Sequence, residues 1–194
     1  LVHPNTISIS GECLMTSNRL GFICIKIKFS IGEKNTGKST IVLEFAADTL
    51  IQHADSEVLF INALQEFKAE SFYKICLSLS GQDDPEIAES CLKRSRVISA
   101  KTIDTFHSYI NCLDALLCTF PKTLLIIIDT LSYYYIYSYV FEEITKTNMT
   151  KRMWLNFYLH RFSKIVKSYG VTILFTLPPH ISECTDCDTE MDDE

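Results

Sequence analysis

The chain has 194 residues, 47% of them hydrophobic and 22% charged, which allows one α/β domain with a buried core and excludes a largely disordered protein. Its formal net charge of −6 excludes a global basic field that would attract nucleic acid without a partner. The longest apolar runs fall far below the ~20 residues that a membrane-spanning helix needs.

The first predicted elements are a strand, a glycine-rich loop and a helix. Residues 1–20 show no hydrophobic period, so we predict an irregular N-terminal segment before a single domain over residues 21–180. The segment "FICIKIKFSI" alternates apolar and polar residues as a strand does. The segment "STIVLEFAADTLIQ" predicts a helix whose apolar face is formed by Ile41, Val42, Phe45, Ala46 and Leu50.

Strands and helices then alternate to the end of the domain. We predict strands at "EVLFINAL", "RVISAK", "TLLIIID" and "GVTILFTL". We predict helices at "ESFYKICLSLSG", "IAESCLKRS", "TFHSYINCLDALLCTF" and residues 151–169. This order indicates an α/β fold in three layers, with helices on both sides of a mostly parallel sheet. Residues 181–194 are predicted to be an acidic, disordered tail.

The loop between the first predicted strand and helix contains "GEKNTGKS", a full match to G-x-x-x-x-G-K-[ST]. In such a loop the backbone N–H groups and the helix N-terminus bind phosphates, a lysine reaches the β and γ phosphates, and a serine hydroxyl ligates Mg²⁺. We therefore expect ATP and Mg²⁺ to be bound here. The expected nucleotide-binding residues are Gly32, Glu33, Lys34, Asn35, Thr36, Gly37, Lys38, Ser39 and Thr40.

Asp129 is a lone carboxylate at the end of the apolar strand "TLLIIID". The carboxyl ends of parallel strands are where α/β sheets place ligand chemistry. Asp129 is therefore expected to be the Walker B aspartate, which holds Mg²⁺ through water, together with Ser39. The alternative is that Asp129 only caps the following helix.

The order of these segments resembles a known family. The P-loop, "VLFINALQEF", an intervening strand, "LLIIIDTLS", an amphipathic helix and "YGVTILFTLPP" are together similar to the RecA-type recombinase core. They resemble in particular the eukaryotic recombinase paralogues that assist strand exchange. The resemblance covers about residues 30–180.

The resemblance implies a RecA-like P-loop NTPase core, truncated at its C-terminal end. It also implies a nuclear subunit in DNA double-strand break repair by homologous recombination. The partners would be other recombinase paralogues in a hetero-oligomer, and DNA would be contacted mainly through that complex. No membrane contact is expected.

Two positions depart from the family pattern. The family has an Asp-Thr-Glu-like sequence whose glutamate activates water, and this chain has Asn62, Ala63 and Leu64 at the matching positions. Glu66 is a weak catalytic candidate, because two residues along a strand displace a side chain by roughly 6–7 Å. No other catalytic residue is assigned.

The second departure follows the last strand. Recombinases place Asn-Gln there to sense the γ-phosphate, whereas this chain has Leu177 and Pro178. We therefore expect ATP binding with weak or absent hydrolysis, in a subunit that acts in assembly. One alternative is an active ATPase or small-molecule kinase that uses Glu66 or a residue supplied in trans, with Arg94 and Arg96 as an arginine finger. Another is a degenerate scaffold that binds no nucleotide.

Two further stretches have competing interpretations. The tyrosines of residues 133–139 have three competing interpretations: packing on the core, a partner interface, or stacking on single-stranded DNA. The acidic residues that follow favour the interface over DNA. The pair Cys184 and Cys187 has metal or redox spacing, but a structural zinc site normally needs four ligands. The eight cysteines show no disulfide-framework spacing, which favours a reducing compartment.

Overall fold

Strands and helices alternate along the chain in the computed structural model, which describes residues 8–16, 23–31, 37–62, 67–81, 84–129, 131 and 151–177. The strands are β1 (Ser8–Thr16), β2 (Ile23–Ile31), β3 (Glu57–Asn62), β4 (Ser95–Ser99), β5 (Thr123–Asp129) and β6 (Thr172–Leu177). The helices are α1 (Lys38–Gln52), α2 (Ala69–Leu79), α3 (Pro85–Lys93), α4 (Ile103–Asn111), α5 (Leu113–Thr119) and α6 (Lys151–Tyr169).

The described strands form one sheet in the order β1-β2-β6-β5-β3-β4. The strands from β2 to β4 in this order are parallel to their neighbours, and β1 runs antiparallel to β2 at the edge. The predicted α/β class with a mostly parallel sheet is therefore confirmed. Within the described residues, no helix is long and apolar enough to cross a membrane.

The helices lie on the two faces of the sheet according to the direction in which the chain moves across it. From β2 to β3 and β4 the chain moves toward one edge, and from β4 to β5 and β6 it moves back. Because crossovers between parallel strands are almost always right-handed, these two directions are expected to place their helices on opposite faces.

The buried residues follow this division and form two cores. The first core joins α1, α2 and α3 to one face of the sheet, and its strand residues are Val58, Phe60, Leu125, Ile127 and Leu174. The second core joins α4, α5 and α6 to the other face, and its strand residues are Leu59, Ile61, Ile126, Ile128, Ile173 and Phe175. Successive residues of one strand enter opposite cores, as the period of two requires. The three-layer arrangement thus agrees with the sequence prediction.

The prediction that residues 1–20 are irregular is wrong for Ser8–Thr16, which form β1. The backbone of β1 pairs with β2 over its whole length, from Ser8 opposite Ile31 to Thr16 opposite Ile23. Gly11 interrupts the local alternation of this segment, and glycine weakens a strand signal. The strand therefore depends on cross-strand pairing with β2, which the local sequence pattern does not reveal.

The single helix predicted over "TFHSYINCLDALLCTF" is also wrong, because it is divided at Cys112 into α4 and α5. Cys112 has φ −96° and ψ 11°, and its N–H still donates to the Ser108 carbonyl at 2.9 Å. The backbone thus bends without losing this hydrogen bond. The start of α4 is fixed by a capping box, in which Thr102 and Thr105 bond each other's backbone N–H groups.

Candidate functional site

Three polar residues lie side by side at the carboxyl edge of the parallel strands. Asn62 ends β3 and is the register partner of Asp129, which ends β5. The hydroxyl of Thr176 on β6 donates a hydrogen bond of 2.7 Å to Oδ1 of Asp129. On the far side of β6, the backbone of Thr176 pairs with Ser30, close to the end of β2. The row therefore begins beside the strand that leads into the glycine-rich loop.

The period of the strands directs these three side chains to the face that carries α1. Each polar residue comes two positions after a first-core residue on its own strand: Asn62 after Phe60, Asp129 after Ile127, and Thr176 after Leu174. Residues two apart in a strand lie on the same face of the sheet. The polar row consequently continues the first core outward to the carboxyl edge of the sheet.

Helix α1 begins above this row. Its N-cap residue, Gly37, has φ +84°, a conformation that glycine adopts without the steric penalty of other residues. No side chain caps the first turn, and that turn contains no acidic residue, whereas α2, α3, α4 and α5 each carry one. The N–H groups at the start of α1 therefore have no competing carboxylate on their own turn, and the positive end of the helix dipole favours an anion.

A pocket brings the start of α1 together with two residues of the polar row, Asn62 and Asp129. Its polar lining consists of Ser39, Asn62 and Asp129, and its apolar lining includes Phe60, Phe67 and Ile127. The described residues surround a cavity of about 40 Å³, which has room for water-sized ligands. Two predicted magnesium ligands, Ser39 and Asp129, thus line the same pocket although they are 90 residues apart in sequence.

The donor set of the pocket fits Mg²⁺ that arrives with a phosphate group. In the described ranges, no cluster of three or more His, Cys, Asp or Glu residues is arranged to hold a metal ion. Mg²⁺ normally keeps several waters and binds one or two carboxylates plus substrate phosphates. One carboxylate and one serine hydroxyl are therefore a suitable protein contribution to a magnesium–nucleotide complex, and a poor one for a free metal ion.

Several predicted site residues lie outside the described residues. These are Gly32, Glu33, Lys34, Asn35 and Thr36 of the loop, together with Ala63, Leu64, Glu66, Pro178, Cys184 and Cys187 and the tyrosines of residues 133–139. Gly37, Lys38, Ser39 and Thr40 form the start of α1, as the motif requires. Leu177 ends β6. The roles assigned to all of these residues remain predictions.

The interpretation of Arg94 and Arg96 as a finger for this pocket is wrong, because both lie at the opposite edge of the sheet. Arg94 precedes β4, and its guanidinium donates to one backbone carbonyl in the last turn of helix α1 and to two that follow this helix. Arg96 is paired with Glu57, the first residue of β3, at 2.6 Å. Since β3 runs about 17 Å from this edge to the site, neither side chain reaches the pocket.

The sequence pattern alone does not identify Thr176 as a site residue. A threonine in "TILFTL" carries no signal by itself, because threonine is common in strands. The usable signal was the combination of strand period and position: Thr176 occupies the same place on β6 as Asp129 on β5, two residues beyond the last residue of the first core.

No protein-family model matches the chain, and no curated protein matches it. The interpretation of the site therefore rests on its motif, its geometry and its donor chemistry.

Proposed function

We propose that the chain binds ATP with Mg²⁺ at the carboxyl edge of its sheet, with weak or absent hydrolysis, as an assembly subunit of a recombinase-paralogue complex. The observation that carries the proposal is the convergence of two motifs. The sequence "GEKNTGKS" runs from the end of β2 into the start of α1, and Asp129, the only carboxylate that lines the described pocket, shares that lining with Ser39 of the motif.

The strand order supports this assignment. Strand β6 lies between β2 and β5, so the strand that leads into the loop and the strand that ends at Asp129 are two spacings, or about 10 Å, apart. The start of α1 contributes Ser39 to the pocket that Asp129 also lines. In the proposed complex the loop and the start of α1 would bind the phosphates, and Asp129 with Ser39 would hold Mg²⁺. When bound, Mg²⁺ supplies charge stabilisation to the β and γ phosphates.

The pocket lining supports binding more strongly than hydrolysis. Hydrolysis needs a group that accepts a proton from water or orients it. The neighbour of Asp129 on β3 is Asn62, whose amide does not act as a base, and the family position of the catalytic glutamate holds Leu64. Bound nucleotide would then act as a structural ligand, contributing about 2.7 kcal/mol of stability when its concentration is a hundredfold above Kd.

The recombination part of the proposal rests on the family resemblance of residues 30–180. On this resemblance we propose that the chain acts in the nucleus, in homologous recombination repair of double-strand breaks. The net charge of −6 agrees with DNA contact made mainly through more basic partners. The partners would be other recombinase paralogues. The placement of Arg94 and Arg96 away from the pocket gives no support to a kinase lid or a finger supplied by this chain.

Nucleotide binding is tested by titrating a fluorescent ATP analogue into the purified chain with Mg²⁺. Lys38→Ala and Asp129→Asn should each weaken binding at least tenfold, and Lys122→Ala, an exposed residue at the opposite edge, should not change it. Phosphate release should stay near background in all four proteins. Failure of the wild-type chain to bind ATP or ADP would refute the proposal, and robust hydrolysis abolished by Lys38→Ala would refute its non-hydrolytic part.

The assembly role is tested separately by affinity capture from cells followed by mass spectrometry. The wild-type chain should capture recombinase paralogues, and Lys38→Ala should reduce that capture if nucleotide stabilises the interface. Absence of recombinase paralogues among the partners would contradict the recombination role and would not affect the proposed nucleotide-binding site.

A further inference from the structure

Three polar residues of the described chain are buried: Ser56, Thr123 and Thr176. Thr176 differs from the other two in its hydrogen bonding. Ser56 donates to the His53 carbonyl at 2.7 Å, and Thr123 donates to the Phe120 carbonyl at 2.8 Å, both only three residues away. Thr176, with 2% of its surface exposed, donates instead to the carboxylate of Asp129, 47 residues away. Its hydroxyl therefore connects two strands at the candidate site.

The chemistry of position 176 points away from simple packing. Valine has nearly the same shape as threonine and suits a buried strand, whereas a buried hydroxyl carries a desolvation cost unless it is hydrogen-bonded. Here the partner is a carboxylate oxygen, and hydrogen bonds to carboxylates are among the stronger ones in proteins. The bond of 2.7 Å joins the Thr176 hydroxyl to Oδ1 of Asp129. It uses one of the roughly four acceptor sites of a carboxylate, so the group can still accept from other donors.

We propose that Thr176 is a positioning residue for the metal-binding carboxylate. By holding Oδ1, it restricts rotation of the Asp129 carboxylate, whose remaining acceptor sites would help to hold Mg²⁺ when the nucleotide is bound. The inference rests on the proposed function, because it assigns Thr176 a part in binding the magnesium form of the nucleotide. Thr176 touches neither the phosphates nor the metal in this role and acts through Asp129.

The test compares magnesium-dependent with metal-free binding. The affinity for ATP is measured over a titration of Mg²⁺, and the affinity for ADP is measured in EDTA, for the wild-type chain, Thr176→Val and Thr176→Ser. Loss of the Thr176 hydroxyl should weaken the affinity for ATP with Mg²⁺ by roughly 5- to 30-fold, which corresponds to about 1–2 kcal/mol of binding free energy. Thr176→Val should show that loss only with Mg²⁺, and Thr176→Ser, which keeps the hydroxyl, should restore binding. Metal-free binding should stay within about twofold in all three.

The matched control is Thr123→Val, which removes another buried threonine hydroxyl at the start of β5. It should alter stability without altering the dependence on Mg²⁺. In an Asp129→Asn background, Thr176→Val should have no further effect on that dependence, because the carboxylate through which it acts is gone. Thr176→Ala provides the same loss of the hydroxyl if the valine variant does not fold.

The outcomes separate the two claims. A wild-type chain that binds no magnesium–nucleotide refutes the proposed function. A wild-type chain that binds it, with an unchanged magnesium dependence in Thr176→Val or Thr176→Ala, refutes only the positioning role and leaves Thr176 as a structural residue. If Thr176→Val weakens nucleotide binding equally with and without Mg²⁺, the positioning role is likewise refuted.

Discussion

Replacing Arg94 with alanine is expected to destabilise the protein without changing nucleotide binding. Nη2 of Arg94 donates to the Leu50 carbonyl at 2.8 Å, and Nη1 donates to the carbonyls of His53 and Ser56 at 3.0 and 3.1 Å. The last carbonyls of a helix have no partner within the helix, and a cation near them is also favoured by the helix dipole. Arg94 thus fastens the end of α1 to the start of β4.

The size of the effect follows from these three bonds. A hydrogen bond from a charged group contributes about 1.5–3 kcal/mol when fully buried, and partial exposure of Arg94 lets water replace part of each, so we take about 1 kcal/mol per bond. The expected loss for Arg94→Ala is therefore about 3 kcal/mol, or roughly 6–12 °C in Tm for a chain of this length. Arg94→Lys keeps the charge but not the planar fork, and it should lose about half as much.

Thermal and urea denaturation with and without Mg-ATP provide the assay. The control is Arg96→Ala, whose ion pair with Glu57 is partly exposed and stabilises by at most about 1 kcal/mol. The Kd for nucleotide should change less than twofold in every variant, because Arg94 lies at the far edge of the sheet. A Tm within about 1 °C of wild type, or loss of nucleotide binding by a folded Arg94→Ala protein, would refute the reasoning.

Three further predictions concern pH, packing and turnover. Burial lowers the pKa of His107 below its ordinary 6.5, and Asp104 has a smaller opposing effect. The stability that this group contributes above pH 6.5 is therefore lost as the pH falls through the lowered folded-state pKa. His107→Phe should reduce the dependence of the unfolding free energy on pH in urea denaturation, and an unchanged dependence would contradict this prediction. Phe72→Ala should cost about 3–5 kcal/mol in urea denaturation because the ring is fully buried with its centroid 5.7 Å from that of Phe60, and a cost below about 1 kcal/mol would show that the first core does not depend on it. Leu64→Glu should raise phosphate release above wild type while Leu64→Ala does not, and equal rates would mean that a carboxylate at this position is not what hydrolysis lacks.

The sequence predicted the layered fold well where its hydrophobic pattern was strong. The run "TLLIIID" is apolar throughout because β5 is central and both of its faces enter a core, as Leu125 and Ile126 do. The edge strand β1 was missed because its formation depends on pairing with β2. The order of the strands could not be read from local pattern either, since it is set by pairings between distant segments.

The candidate site was predictable to the extent that it depends on residues next to one another in sequence. The loop motif and the lone carboxylate of Asp129 are local signals, and both were found. Thr176 depends on the adjacency of β5 and β6, which are joined through residues 130–171, so no local pattern predicts its contact with Asp129. The same holds for Arg94, whose charge suggested a catalytic finger and whose contacts show a helix anchor.

The topology explains why the polar row lies where it does. Helix α2, which follows β3, packs on the first-core face, whereas α6, the next described helix after the neighbouring strand β5, packs on the other face. Connections that leave neighbouring strands toward opposite faces open a crevice at the carboxyl edge, which is where open α/β sheets bind ligands. Asp129 ends β5, between β6 and β3, and faces the α1 side of the sheet. Asn62 and Thr176 flank it on β3 and β6, two residues beyond Phe60 and Leu174 of the first core, so polar side chains follow the core at the carboxyl ends of these three strands.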